Sequence, residues 1–267
     1  MIIEFITLFV VGIGVGCFGA LVGLGGGLIM VPLFMLTMMP PHGQTFQTVQ
    51  QVIGTSLFGV LLNALSGSWA YWRGKLIMFR AAIPFALATI PGAFLGGYLS
   101  EYFSGPGFSI TFGVTLMLLA AFMYWKSKAK RPTTPLEEFD PQSAKFNLWL
   151  GVFLSFFVGF LSSILGIGGG IIHVPMMMFI LGFPAIVATA TSTFVLMISA
   201  LIGVVSHAAL GHIVWIPALA VGFGAIVGAQ IGVKIAKKSK PKFILKLLCV
   251  AMVVVGLQLF YRGYSAM

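Results

Sequence analysis

The chain is 267 residues long, 59% hydrophobic and only 7% charged, with a mean hydropathy of +1.08. Soluble domains carry about 25% charged residues, so a soluble enzyme is excluded and a polytopic membrane protein is expected. The formal charge of +10 collects at junctions between apolar runs, without the interleaved aromatics of a nucleic-acid groove, and no nucleic-acid partner is expected.

The first apolar run, 5–24, follows Glu4 and has neither a basic leader nor a small-residue cleavage pattern. It is expected to be a retained helix and not a signal peptide. Gly25-Gly26-Gly27 comes next, then a short run at 28–39 that carries Pro32. Three successive glycines weaken a helix by roughly 1 kcal/mol each relative to alanine. A helix from Gly27 to Met39 would measure only about 20 Å. The chain is therefore predicted to break inside the membrane, as a discontinuous helix or a hairpin tip. Runs at 48–72, 79–100 and 108–125 are of spanning length, since about 20 helical residues cross the hydrocarbon core. Arg73, Lys75 and Arg80 flank the first junction among them.

Segment 126–146 is polar, with three prolines and charges of both signs, including Lys126, Lys128, Lys130, Arg131 and Lys145. It reads as a linker. Beyond it the apolar runs resume at 147–165, 170–182, 186–209, 213–235 and 243–262, with Gly168-Gly169-Gly170 before the second of these. Lys234, Lys237, Lys238, Lys240, Lys242 and Lys246 crowd the last junction.

The two halves repeat each other. Residues 16–32, GCFGALVGLGGGLIMVP, align without a gap on 159–175, GFLSSILGIGGGIIHVP. Further on Thr55-Ser56 aligns with Thr191-Ser192, and Gly74 with Gly211. Duplicated hydrophobic units are the sequence mark of repeat-built transporters. The expected fold is all-α, two inverted repeats of about five hydrophobic segments, each with a glycine-broken or re-entrant helix pair. The expected units are an N-terminal repeat at 1–125, a cytoplasmic linker at 126–146 and a C-terminal repeat at 147–267. The basic junctions put the linker and 234–246 inside, although Arg262 then falls at an outward C-terminus.

Candidate site residues follow from what a membrane interior forbids. Non-helical backbone at that depth must be buried in protein or line a wet cavity, and free N–H groups at a helix start favour an anion. Gly25, Gly26, Gly27, Gly168, Gly169 and Gly170 are therefore expected to bind substrate. By contrast, the spaced glycines Gly12/Gly16, Gly92/Gly96 and Gly224/Gly228/Gly232 are expected to be helix-packing positions. Thr55, Ser56, Thr191 and Ser192 either line the path or cap and back-bond their helices. Asn63 and the residue it aligns with, Ser199, are expected on the path, Asn63 because an amide facing lipid is costly. His173 replaces Met30 of the first half, and is either a protonatable anion partner or a hydrogen-bonded structural residue.

No His, Cys, Asp or Glu spacing has the form of a metal site, and no cofactor or catalytic group is expected. Cys17 and Cys249 read as small buried hydrophobes. Glu4, Glu101, Glu137, Glu138 and Asp140 all lie at span ends or in the linker. Cation carriers and proton relays normally hold a mid-span carboxylate, so anions or neutral solutes remain.

With its twin strings Gly23–Pro32 and Gly166–Pro175, each followed by a Thr-Ser pair, the sequence resembles the TauE/SafE family of membrane permeases, the sulfite exporter family, over nearly the whole chain. The resemblance implies sulfite, a sulfonate or another sulfur oxyanion as the substrate class. The expected function is secondary transport of a small anion across the bacterial plasma (inner) membrane by a multi-pass protein surrounded by membrane lipid. A passive anion channel, or a transporter of a neutral solute, is the alternative on the same scaffold.

Overall fold

The computed structural model describes residues 2–40, 43–99, 106–129, 139, 144, 146–165 and 169–265. Their regular structure is helical throughout: α1 Ile2–Val22, α2 Gly27–Thr37, α3 Val49–Arg73, α4 Phe79–Leu99 and α5 Pro106–Ala129, then α6 Leu148–Leu165, α7 Gly170–Phe179, α8 Ala185–Ala209, α9 Trp215–Lys238 and α10 Pro241–Ser265. Five stretches, Ile2–Val22, Gln50–Arg73, Ala185–Ala209, Trp215–Lys238 and Pro241–Tyr261, are long and apolar enough to cross a membrane. Large apolar side chains stand bare on the outside, Ile3 at 82% and Trp149 at 81% exposed. Lipid is the solvent that suits such a surface.

The helix ends repeat as the sequence does. α3 closes with Lys75 N–H bonded to the Trp72 carbonyl and Leu76 N–H to that of Tyr71, while α8 closes with Gly211 to Ala208 and His212 to His207. Both are Schellman caps, whose last residue is left-handed: φ is 53° at Lys75 and 70° at Gly211. The equivalent of Gly211 is thus Lys75, one residue beyond the Gly74 that sequence identity selects.

Neighbouring contacts give the relative sense of the helices. Gly12 meets Val221 and Gly16 meets Ala225, so numbers rise together and α1 runs parallel to α9. α4 and α6 are likewise parallel, with Phe85 against Gly151 and Gly92 against Phe160. α3 also runs with α9, Asn63 lying by Ala225 and Ser66 by Gln230. By contrast α3 and α8 are antiparallel, Gly67 beside Thr193 and Leu57 beside Gly203. α5 and α10 are antiparallel as well, with Gly113 against Gly256 and Phe260, and Met117 against Gly256.

The first helix of each half therefore packs on the fourth helix of the other. Small residues make this possible because nothing else lets two backbones approach so closely. A methyl added to Gly228 would stand 2.7 Å from the Cys17 nitrogen, and one on Gly16 2.6 Å from the Ala225 Cα. Gly12, Gly16, Gly92, Gly224, Gly228 and Gly232 all meet backbone atoms of the facing helix, as their spacing leads one to expect.

α1 and α2 form a hairpin whose open end returns to the side where α1 began. Thr45, in the loop after α2, reaches back to the Glu4 carboxylate at 3.5 Å. At the opposite side, Lys237 Nζ donates to the Ala70 carbonyl at 3.1 Å, and Phe139 and Phe146 of the linker both pack on Phe183 between α7 and α8. The linker, the ends of α3 and α9 and the start of α8 thus share one face. The basic junctions belong to that face.

Candidate functional site

The site is built where the first glycine turn crosses the second half. α1 ends because Gly23 turns left-handed (φ 83°), and the carbonyl of Gly19 accepts N–H bonds from Gly23, Leu24 and Gly25. Gly25 (φ 72°) and Gly26 (φ 84°) stay left-handed, a region that costs an L-residue about 1–2 kcal/mol. Space is short too, since a methyl on Gly25 would lie 2.9 Å from Val60 Cγ1 and one on Gly26 2.8 Å from Val15 Cγ1. α2 then begins at Gly27, and its first backbone bonds, from Ile29 and Met30, return to the Gly26 carbonyl. The N–H groups of Gly26, Gly27 and Leu28 accordingly find no acceptor among the described residues, in a segment that is buried throughout.

The second half meets this turn directly. Gly170, the first residue of α7, abuts the Gly23 carbonyl and Leu24, and Val174 and Thr189 pack against Gly23. Ser192 on α8 donates its hydroxyl to the Gly23 carbonyl at 3.2 Å. Gly169 has an ordinary helical φ of −65°, and Gly168 lies outside the described residues. The Gly23–Gly27 turn and Gly170 are thus in direct contact.

The Thr-Ser pairs divide. Thr55 and Thr191 are the seventh residues of α3 and α8, not caps of their own helices. Each instead accepts a backbone N–H just ahead of a helix in the other half, Thr55 from Val214 before α9 at 3.0 Å and Thr191 from Met78 before α4 at 3.2 Å. Ser56 bonds back to Ile53 at 2.9 Å and Ser199 to Leu196 at 3.1 Å. Ser192 bonds the first glycine turn at Gly23.

Asn63 is fully buried and donates to the carbonyls of Gly16 at 2.8 Å and Ala225 at 3.3 Å, tying α3 to α1 and α9. Its Oδ1 has no partner. Asn63 therefore offers an acceptor and not the free donor expected of a path-lining residue. His173, 1% exposed, bonds Ser155 Oγ through Nε2 at 3.0 Å and stacks on Phe85 with ring planes 9° apart. That is the structural alternative of the two held open for it.

One residue of the crossing was missed. Thr189 is completely buried against Gly23, and its hydroxyl oxygen has no hydrogen-bond partner. Its signal was present in the run Thr189-Ala-Thr191-Ser192-Thr193, where positions three and four apart share a helix face. Among the described residues no group of three or more His, Cys, Asp or Glu side chains could hold a metal.

Swapped helix pairs, buried glycine turns and an apolar exterior define a multi-pass membrane protein. The family model of the sulfite exporter TauE/SafE matches residues 8–259, and the chain belongs to that family of membrane transporters. It is similar to the probable membrane transporter protein YunE of Bacillus subtilis, 35% identical over 97% of this chain and 98% of that one. A probable membrane transporter protein of Methanocaldococcus jannaschii is 26% identical over 94% of this chain and 93% of its own length. A second Bacillus subtilis protein, the probable membrane transporter protein YjnA, is 24% identical over 95% and 99%. No solved structure matches the chain.

Proposed function

We propose that the protein is a secondary transporter of a small anion, with sulfite, a sulfonate or another sulfur oxyanion as the substrate class, in the bacterial plasma membrane. The observation that carries this reading is the row of N–H groups at Gly26, Gly27 and Leu28 that find no acceptor among the described residues, at the positive end of α2, in the turn whose Gly23 is met by Ser192 and Thr189. Such a helix start attracts an oxyanion. The described acids leave this region uncharged, since Glu4 lies at the far end of α1. The family description, sulfite exporter, supports the substrate class.

In this reading the halves are inverted repeats about an axis in the membrane plane, which the antiparallel α3–α8 and α5–α10 pairs support. The basic face is cytoplasmic. The closed crossing suits a carrier in its occluded form, and alternating access arises when the halves rock apart at Gly23 and Gly170. The Ser192–Gly23 bond then breaks, and the freed donors meet the anion in the opened gap.

The test is uptake into proteoliposomes loaded and unloaded with sulfite, sulfoacetate, taurine, thiosulfate or sulfate. Saturable flux with counterflow for a sulfur oxyanion is expected. Flux that rises linearly with concentration and shows no counterflow would indicate the channel alternative and overturn the carrier.

A further inference from the structure

A second feature lies away from the glycine crossing, at the basic face. A cavity of about 340 Å³ opens between α3, α8 and the start of α4, walled by Leu65, Trp69, Trp72, Phe79 and Phe194. Ser68 also lines it, 5% exposed and with its Oγ free of any hydrogen bond. Other helical serines find a partner, Ser206 bonding back to Ile202 and Ser66 reaching the Ile226 carbonyl on α9, whereas the donor at Ser68 is unused. Just past the cavity, Arg73 and Lys75 are exposed, and no carboxylate among the described residues pairs with either.

The duplicated half supplies an internal comparison. At an offset of 136 residues, Ser68, Trp69, Trp72, Arg73 and Lys75 become Val204, Val205, Ala208, Ala209 and Gly211. The scaffold around them persists: the edge-to-face pair Phe79–Phe194, at 5.4 Å, has its twin in Trp215–Phe58 at 5.7 Å. The hydroxyl, the indoles and the cations therefore belong to one copy only. Lys75 even occupies the left-handed position that the other copy gives to glycine.

We propose that this cavity binds one anionic glycerophospholipid. Its phosphate sits at Arg73 and Lys75, an ester carbonyl accepts from Ser68, and an acyl chain runs along Leu65 and Met197. Ser68 lies five residues before Arg73, about 7.5 Å deeper by helix rise, as an ester lies below its headgroup phosphate. Tryptophan belongs at that interfacial level, and basic pockets between helices on the cytoplasmic side hold anionic headgroups. The site is separate from the transported anion and does not depend on its identity.

The experiment measures thermal stability of the purified protein in detergent, titrated with phosphatidylglycerol, phosphatidylcholine of the same chains, or inorganic phosphate. Native mass spectrometry counts the lipid retained. One retained phosphatidylglycerol, and stabilisation by that lipid alone, are expected. Ser68→Val, which installs the residue of the other copy, should weaken the effect, and Arg73→Gln with Lys75→Gln should weaken it roughly fivefold per cation. Val204→Ser should change nothing. Equal stabilisation by phosphatidylcholine, an equal effect of free phosphate, or unaltered affinity in the double glutamine variant would overturn the proposal. The two cations are at the surface, so that variant carries the test even if Ser68→Val folds poorly.

Discussion

Asn63 shows how much one side chain does at the meeting of three helices. Its amide nitrogen bonds backbone carbonyls of α1 and α9 from α3, and a methyl on Gly16 would come within 2.9 Å of that nitrogen. Asn63→Asp keeps the shape and removes the donor, so each carbonyl faces an oxygen instead. A loss of about 1–3 kcal/mol is expected for an unpaired buried group, read as a lower unfolding temperature in detergent. Asn63→Ser, the residue of the other half, should lose less. Equal stability of the Asn63→Asp variant and the wild-type protein would show that the two bonds contribute nothing. From the sequence, the cost of burying Asn63 was legible, but not which atoms its amide would satisfy. Partners 47 and 162 residues away leave no local trace. Thr55 and Thr191 were opaque for the same reason, as each serves a backbone N–H in the opposite half.

At the scale of elements, the glycine turn is the part the sequence announced most clearly. Consecutive glycines weaken a helix, and in the first half the break falls where they stand. What sequence identity misread was the cap of α3, because a backbone conformation and not a residue type is the shared feature of Lys75 and Gly211. Gly211 also provides a control for Gly26. Gly26→Ala brings both left-handed strain and a contact 2.8 Å from Val15 Cγ1, whereas a methyl on Gly211 meets nothing within 4 Å. Both sites have positive φ, so both lose about 1–2 kcal/mol for the backbone alone. Transport by Gly26→Ala should fall more than tenfold with normal membrane insertion, while Gly211→Ala keeps most of its activity. Similar activities in the two variants would show that the packing of the turn is irrelevant to transport.

For the whole molecule, apolar lengths and basic junctions made the spans and the charged side legible, but not the exchange of helices between halves. Amphipathic pattern reports that a face is buried, never by which partner. The arrangement predicts a single sidedness. In a background with Cys17 and Cys249 replaced by alanine, an impermeant thiol reagent added to intact cells should label Gln47→Cys, near the α1–α2 hairpin mouth. Lys240→Cys, between α9 and α10, should react only after lysis. Labelling of Lys240→Cys in intact cells would reverse the orientation.

The exchange has a consequence for biosynthesis. The glycine-rich side of α1 is made to rest on α9, yet the ribosome must add roughly 200 residues before α9 exists. At 5–20 residues per second this takes about 10 to 40 s. Throughout that interval α1 waits in the bilayer with its docking groove unfilled, and α4 waits similarly for α6. A fragment ending after α5 should thus be short-lived in the cell, whereas two separately translated halves, each carrying what the other lacks, should find one another and restore the transporter.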